Sequence, residues 1–565
     1  MFTFFRSILA TLLLFIICSI LNAQPIICSI LNAQPIPTIS TQSLNRFLAL
    51  PATGGTTPDF VQDLSGVEWH RLAKIWNYTG DPQYFRRLQK IIDPYVTSSG
   101  TLAGCHPSDK FVNGEALLIV YQVTQQEKYF TAATQLFRMM KATYFAAEEK
   151  KVDYSEQLPI AQIPFYAAYA GFMRDTASFT ALANQVENAY RVLKQSGKVD
   201  VINTVNLLSI LVDVLDYYPT APAANRFKTL INQLANQANT IQWKTQFSHP
   251  APEYQANLQK AQFEYVYAIS KAIRKQYIPA KYANRFSELD PNLFTAEAKS
   301  VDWQAAACIE WDLLQKNSVG KNRLFLLDDY FNAEKKADVS GVVKPYHYKW
   351  DEWHNGGFYM LGDIIESAGL QTGTLSTAPT ADNLRDASIY MIVDPDHVPD
   401  NPTPNYMTDA YAQTIVNWVK SGGVLVLFHN DKVNTEFTHF NILSKSFGIT
   451  LNEDIQNRVP GVEFAYGKVD IPAAHPVLPN VQKIYQKDVC SITVQDPAKV
   501  LLQKDSVAIF AVAKLGKGTV FVTGDPWLYN EYVSGLRLSP DFQNFQAAKD
   551  LVQWLIQQIP EKRSK

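Results

Sequence analysis

A set of side chains able to bind ligands or move protons stands just after short apolar runs in the second half of the chain: Asp328, Asp329, Asp394, Asp396, His397, His429, Asn430, Asp431 and Asp525. Carboxylates, an imidazole and an amide gathered at one edge could hydrogen-bond sugar hydroxyls, transfer protons or hold a hard cation. The sharpest case is SGGVLVLFHND, Ser421 to Asp431, in which two glycines launch five apolar residues that stop at His429. A run apolar on both faces predicts a buried parallel strand. Its polar tip then lies at the carboxyl end, where open α/β sheets bind ligands. Asp329, Asp394, His429, Asp431 and Asp525 are the residues expected to meet a ligand there. Asp and Asn also cap helices and hold turns after strands, which accounts for part of the set.

A mixed oxygen and nitrogen metal site from His429, Asp431 and Asp328–Asp329 is chemically conceivable. No short zinc spacing such as His-Glu-x-x-His occurs, so no metal and no cofactor is expected. Cys105, Cys308 and Cys490 are far apart and odd in number, and are expected to be buried small hydrophobes.

The elements that must position these residues follow from periodicity. From Arg323 onward RLFLLDDYFN, SIYMIVDPD, GVLVLFHND, VAIFAVAKL and GTVFVTGD alternate with helical stretches such as DAYAQTIVNWVKSGG. That alternation predicts βαβ units and a doubly wound, mostly parallel sheet over 323–565. The first half instead repeats a helical hairpin. Phe85, Phe130, Phe179, Phe227 and Tyr282 recur at spacings of roughly 45 to 55 residues, each expected near the start of a second helix. An open solenoid and a closed α/α toroid both fit this period. The stretch 301–322 is expected to connect the halves.

Hydrophobic residues make up 47% of the 565 and aromatic residues 12%, enough for more than one core. The formal charge is -2 and the Lys and Arg residues are scattered, which argues against nucleic acid or an anionic membrane as partner. Neutral, aromatic-rich surfaces suit sugars. Arg6 precedes an apolar run from Ile8 to Ile20, which predicts a secretory signal over 1–33 and an exported, periplasmic or extracellular protein. IICSILNAQP occurs twice in succession there, giving cleavage points after Ala23 or Ala33.

Two resemblances sharpen these expectations. GVEWHRLAKIWNYTGDPQYFRRLQKIIDPYV, SDKFVNGEALLIVYQVTQQEKYF and IPFYAAYAGF resemble the α/α-barrel of unsaturated rhamnogalacturonyl hydrolases, glycoside hydrolase families 88 and 105. This implies a toroid over 38–300 acting on pectin-derived oligosaccharides. It also implies Asp109 as the acid that protonates the enol-ether double bond while water adds beside the ring oxygen. The second acid of such barrels corresponds to Gln157, and Glu156 beside it is the candidate replacement. LLDDYFNAE, VDPDHVPDNPTPNY, GGVLVLFHNDKVNTEFTHFN and GDPWLYNEY resemble the glutamine-amidotransferase-like, flavodoxin-like domain appended to such hydrolases. Amidotransferase chemistry needs a Cys on a strand-to-helix elbow beside a His base. After VLVLF stand His429 and Asn430, and Cys490 lies in a strand-like stretch, so amide hydrolysis is not expected. The alternative function is a catalytically inactive carbohydrate-binding protein whose ligand site is the α/β crevice.

Overall fold

The computed structural model describes residues 68–102, 114–145, 159–195, 201–247, 251–294, 300–316 and 320–561. The expected signal segment, Asp109, Glu156 and Gln157 lie outside them. None of the described helices is long and apolar enough to cross a membrane.

The first half is built of helical hairpins. Helices α1 (Glu68–Thr79), α3 (Gly114–Thr124), α5 (Ile163–Phe172), α7 (Val201–Tyr217) and α9 (Pro252–Arg274) each pack against the next. Helices α2 (Gln83–Ile92), α4 (Glu127–Tyr144), α6 (Thr176–Gln195) and α8 (Ala224–Ala238) pack outside them. The repeated aromatics explain the period. Phe85, Phe130, Phe179 and Phe227 stand three or four residues into these outer helices, Tyr282 does the same in the 3-10 helix Ala280–Glu288, and all are buried.

Helix α10 (Val301–Lys316) occupies most of the stretch expected to connect the halves. It packs on α9 and on α1, so the path of contacts from α1 through α9 returns to its start. Trp303, Ala305, Ala306, Ala307, Ile309 and Trp311 are buried around most of its circumference. A helix buried on nearly all sides, its acids Asp302 and Glu310 included, belongs inside a structure rather than between two.

In the second half a seven-stranded sheet has the order β5-β6-β7-β4-β3-β1-β2. The strands are β1 (Leu324–Asp328), β2 (Gln371–Leu375), β3 (Ala387–Val393), β4 (Val424–Phe428), β5 (Ala498–Lys504), β6 (Val507–Leu515) and β7 (Gly518–Thr523). The pairs among β2, β1, β3, β4 and β7 are parallel, and β6 and β5 add an antiparallel edge. Alternate residues face two apolar clusters: Ile389, Met391, Val424 and Val426 one, Tyr390, Ile392, Leu425 and Leu427 the other. This is why the strands read as unbroken apolar runs. Helix α12 (Asp409–Lys420) contributes Ile415 and Val419 to the second cluster. The first cluster takes α11 (Tyr359–Ser367) and α13 (Asn544–Gln558) and continues without a break into the helical half.

Candidate functional site

Register brings the strand tips together. Val393 lies opposite Phe428 and Phe428 opposite Thr523, so Asp394, His429 and Asp525 follow the ends of three neighbouring strands. Asp394, with φ at +42°, faces the Tyr348 hydroxyl and the Asn430 amide. The same hydroxyl accepts from Trp527 Nε1 at 3.3 Å and from Asn430 Nδ2 at 3.5 Å. His347 and Tyr348 both hold left-handed backbone, at φ of +63° and +60°, a conformation that costs a non-glycine residue about 1–3 kcal/mol. Tyr348 is fully buried, so the crevice expected to receive a ligand is filled by this chain's own ring.

The individual groups fit that closure. Burial pushes the carboxyls of Asp394 and Asp525 well above the usual range. Asp525 Oδ1 accepts from the Trp527 amide at 2.8 Å. Asp431 holds a turn, accepting from Val433 N at 2.8 Å and Asn434 Nδ2 at 2.6 Å. Asp329 pairs with Lys349 at 2.6 Å, one strand further along. His429 is wedged against Phe437 and Phe440, and burial takes its imidazole down to about 4. Cys490 Sγ lies 3.6 Å from its Nδ1, and burial pushes that thiol well up. A neutral imidazole beside a protonated thiol is not an activated nucleophile.

A second constellation lies inside the helical half and was not singled out in the sequence. Tyr217 on α7 donates to Glu115 on α3, and its hydroxyl is 3.0 Å from Nδ1 of His70 on α1. Nε2 of His70 is 3.7 Å from Asp213. The ammonium of Lys271 on α9 reaches both Asp213 and Asp216 at 2.5 Å. Arg274 makes two 2.9 Å bonds to Glu310 on α10, which Lys74 also contacts. Asp216 keeps 31% of its side-chain surface accessible and His70 17%, so solvent-sized space remains among these helices.

The charges hold one another. Burial lowers the His70 imidazole, but Asp213 and Glu115 outweigh it and the net direction is up. Burial likewise opposes Lys271, whose two aspartates raise it well above the ordinary lysine range. Against burial, Lys271 and Lys275 bring Asp216 down to about 2. Glu264 on α9 goes the other way: burial pushes its carboxyl up despite Lys260 and an Asn206 bond of 3.1 Å. His70, Asp213 and Asp216 are spaced to hold a cation. The Lys271 ammonium already bridges the two aspartates, and a protonated amine takes the place a metal would need. The signal available in the sequence was charge inside apolar helical runs, as in ILVDVLDYY and AISKAIRKQ.

No family model matches the chain, and no curated protein does. Solved structures give weak likenesses. One is the N-terminal domain of mmIFT52, with a TM-score of 0.31 and 16% identity over 41% of this chain and 96% of that one. Another is a family 105 glycoside hydrolase from C. acetobutylicum, with a TM-score of 0.32 and 14% identity over 49% of this chain and 79% of that one. A third is the exo-beta-1,4-mannosidase Op5Man5 from an Opitutaceae bacterium, with a TM-score of 0.26 and 12% identity over 62% of this chain and 55% of that one.

Proposed function

We propose that the chain is an exported glycoside-hydrolase-like protein acting on unsaturated rhamnogalacturonyl oligosaccharides, an α/α toroid followed by an amidotransferase-like domain. The observation that carries this reading is the side-by-side start of α3 and α5. A Cβ on Gly114 would lie 2.4 Å from the Phe165 ring, so the first turns of the two helices touch. Asp109 precedes Gly114 by five residues and Glu156 precedes Ile163 by seven, so chain order leads both acid-bearing segments into neighbouring helix starts. In this reading Asp109 protonates the double bond and Glu156 directs the water. The test is to incubate the protein with unsaturated rhamnogalacturonan disaccharide and follow loss of its ultraviolet absorbance. Asp109→Asn should slow that loss by about 10²-fold or more. Absorbance that stays constant with the intact chain rules out hydrolysis.

One observation favours a binding role instead: Gln157, an amide, stands where the resemblance calls for the second acid. Calorimetry with pectic oligosaccharides on a chain inactive in the absorbance assay would support that alternative.

A further inference from the structure

At the other end of these helices a cleft of about 310 Å³ opens between the two halves. Trp76 and Thr124, close to the ends of α1 and α3, line one wall. Trp353 and Tyr359 line the other, stacked with ring centres 3.6 Å apart. The volume is at the lower end of the roughly 300–1,000 Å³ typical of small-molecule pockets, room for one or two sugar units.

The polar groups around these aromatics are unevenly satisfied. Asn530 is 2% exposed and gives its amide hydrogen to the Gly356 carbonyl at 3.2 Å, while its own Oδ1 meets no donor among the described residues. A buried carbonyl oxygen left this way calls for a donor from whatever enters. Glu352 is already committed, accepting from the His347 and Lys349 amides at 3.1 and 3.0 Å. Arg537 is paired with Glu531. Arg86 on α2 is exposed and makes one 3.3 Å bond to the Leu536 carbonyl, with no carboxylate partner among the described residues. The rim therefore offers one uncommitted guanidinium.

An aromatic pair suits the C–H face of a pyranose, a lone acceptor suits a hydroxyl, and a guanidinium suits a carboxylate through two parallel bonds. One ligand chemistry meets all three. We propose that this cleft binds a uronate unit of an acidic oligosaccharide, with Trp353 and Tyr359 as platform, Asn530 accepting from a hydroxyl and Arg86 holding the carboxylate. The site lies at the C-terminal end of α3 and does not rest on the hydrolytic reading.

The test is calorimetric titration of the intact chain with digalacturonate, its neutral methyl ester and galactobiose. Saturable binding of digalacturonate is expected, weakened about tenfold or more in Arg86→Ala, which should bind acid and ester alike. Trp353→Ala should weaken all ligands together, with circular dichroism showing both variants folded. Asp109→Asn should bind as the unaltered chain does. Absence of saturable binding, an ester bound as tightly as the acid, or an unchanged affinity in Arg86→Ala overturns the proposal. A chain that binds without hydrolysing loses only the hydrolytic reading, and one that hydrolyses but whose digalacturonate affinity is unchanged in Arg86→Ala loses only this one.

Discussion

Sγ of Cys490 lies 3.6 Å from Nδ1 of His429, with both side chains wholly enclosed behind the tip of β4. The distance is that of a catalytic pair, but the electrostatics are not. Burial drives the thiol up and the imidazole down to about 4, so no thiolate forms near neutrality. Alkylation followed by peptide mapping should leave Cys490 unmodified in the native chain and modify it in denaturant. Cys490→Ala should leave the absorbance assay unchanged. Labelling of Cys490 in the folded protein would show an accessible thiol and reopen amide chemistry.

Lys271 is 1% exposed and bridges two carboxylates. Lys271→Met leaves Asp213 and Asp216 without their shared cation, and removing one partner of a buried pair costs about 3–5 kcal/mol. Urea unfolding should show that loss. Asp216→Asn should cost less, because Asp216 keeps 31% of its surface accessible. Equal stability of Lys271→Met and the unaltered chain would mean that the network contributes nothing to the fold.

Stability should peak in mild acid. Burial pushes Asp328 and Asp396 up to about 6, and raises Asp394 and Asp525 well above the usual carboxylate range. A carboxyl raised on folding binds its proton more readily folded than unfolded, so stability grows as pH falls from 7 toward 4. His429, lowered from 6.5 to about 4, has the opposite effect: its contribution is full above 6.5 and lost as pH falls to 4. Asp216, at about 2, loses its contribution only below about 4. The raised carboxyls outnumber the imidazole, so Tm should rise between pH 7 and about 5 and fall below about 4. Asp394→Asn keeps a side chain tolerant of φ +42° and should flatten the rise. A Tm that drops steadily from pH 7 to 5 contradicts this account.

The Tyr348 hydroxyl is the shared partner of Asp394, Asn430 and Trp527. Tyr348→Phe preserves the ring and removes that partner, at a cost of about 1–3 kcal/mol. Denaturant unfolding measures it, and a neutral result would mean that water replaces the hydroxyl.

Gly114→Ala sets a methyl group 2.4 Å from Phe165, whose ring is 1% exposed and has nowhere to move. Overpacking should cost about 1–3 kcal/mol in thermal unfolding. If the acids act at these helix starts, the same variant lowers hydrolysis more than Gly171→Ala, which lies at the far end of α5.

The sequence by itself determined the elements whose residues bury in a period. β1, β3, β4, β6 and β7 were legible because their apolar runs are long, and Phe85 to Tyr282 marked the second helix of each hairpin because each hairpin buries one aromatic at the same place. β2 and β5 were not legible, since edge strands with exposed residues such as Gln371 and Lys499 lack an apolar run. The packing of helix α10 on α1 was not legible, because nothing local announces that contact. The same reason hid the candidate sites. Tyr348 filling the crevice between β3 and β4, and Lys271 joining Asp213 to Asp216, are contacts between residues distant in the chain. Their energies depend on burial and on which charge arrives opposite, and only the closed tertiary structure supplies both.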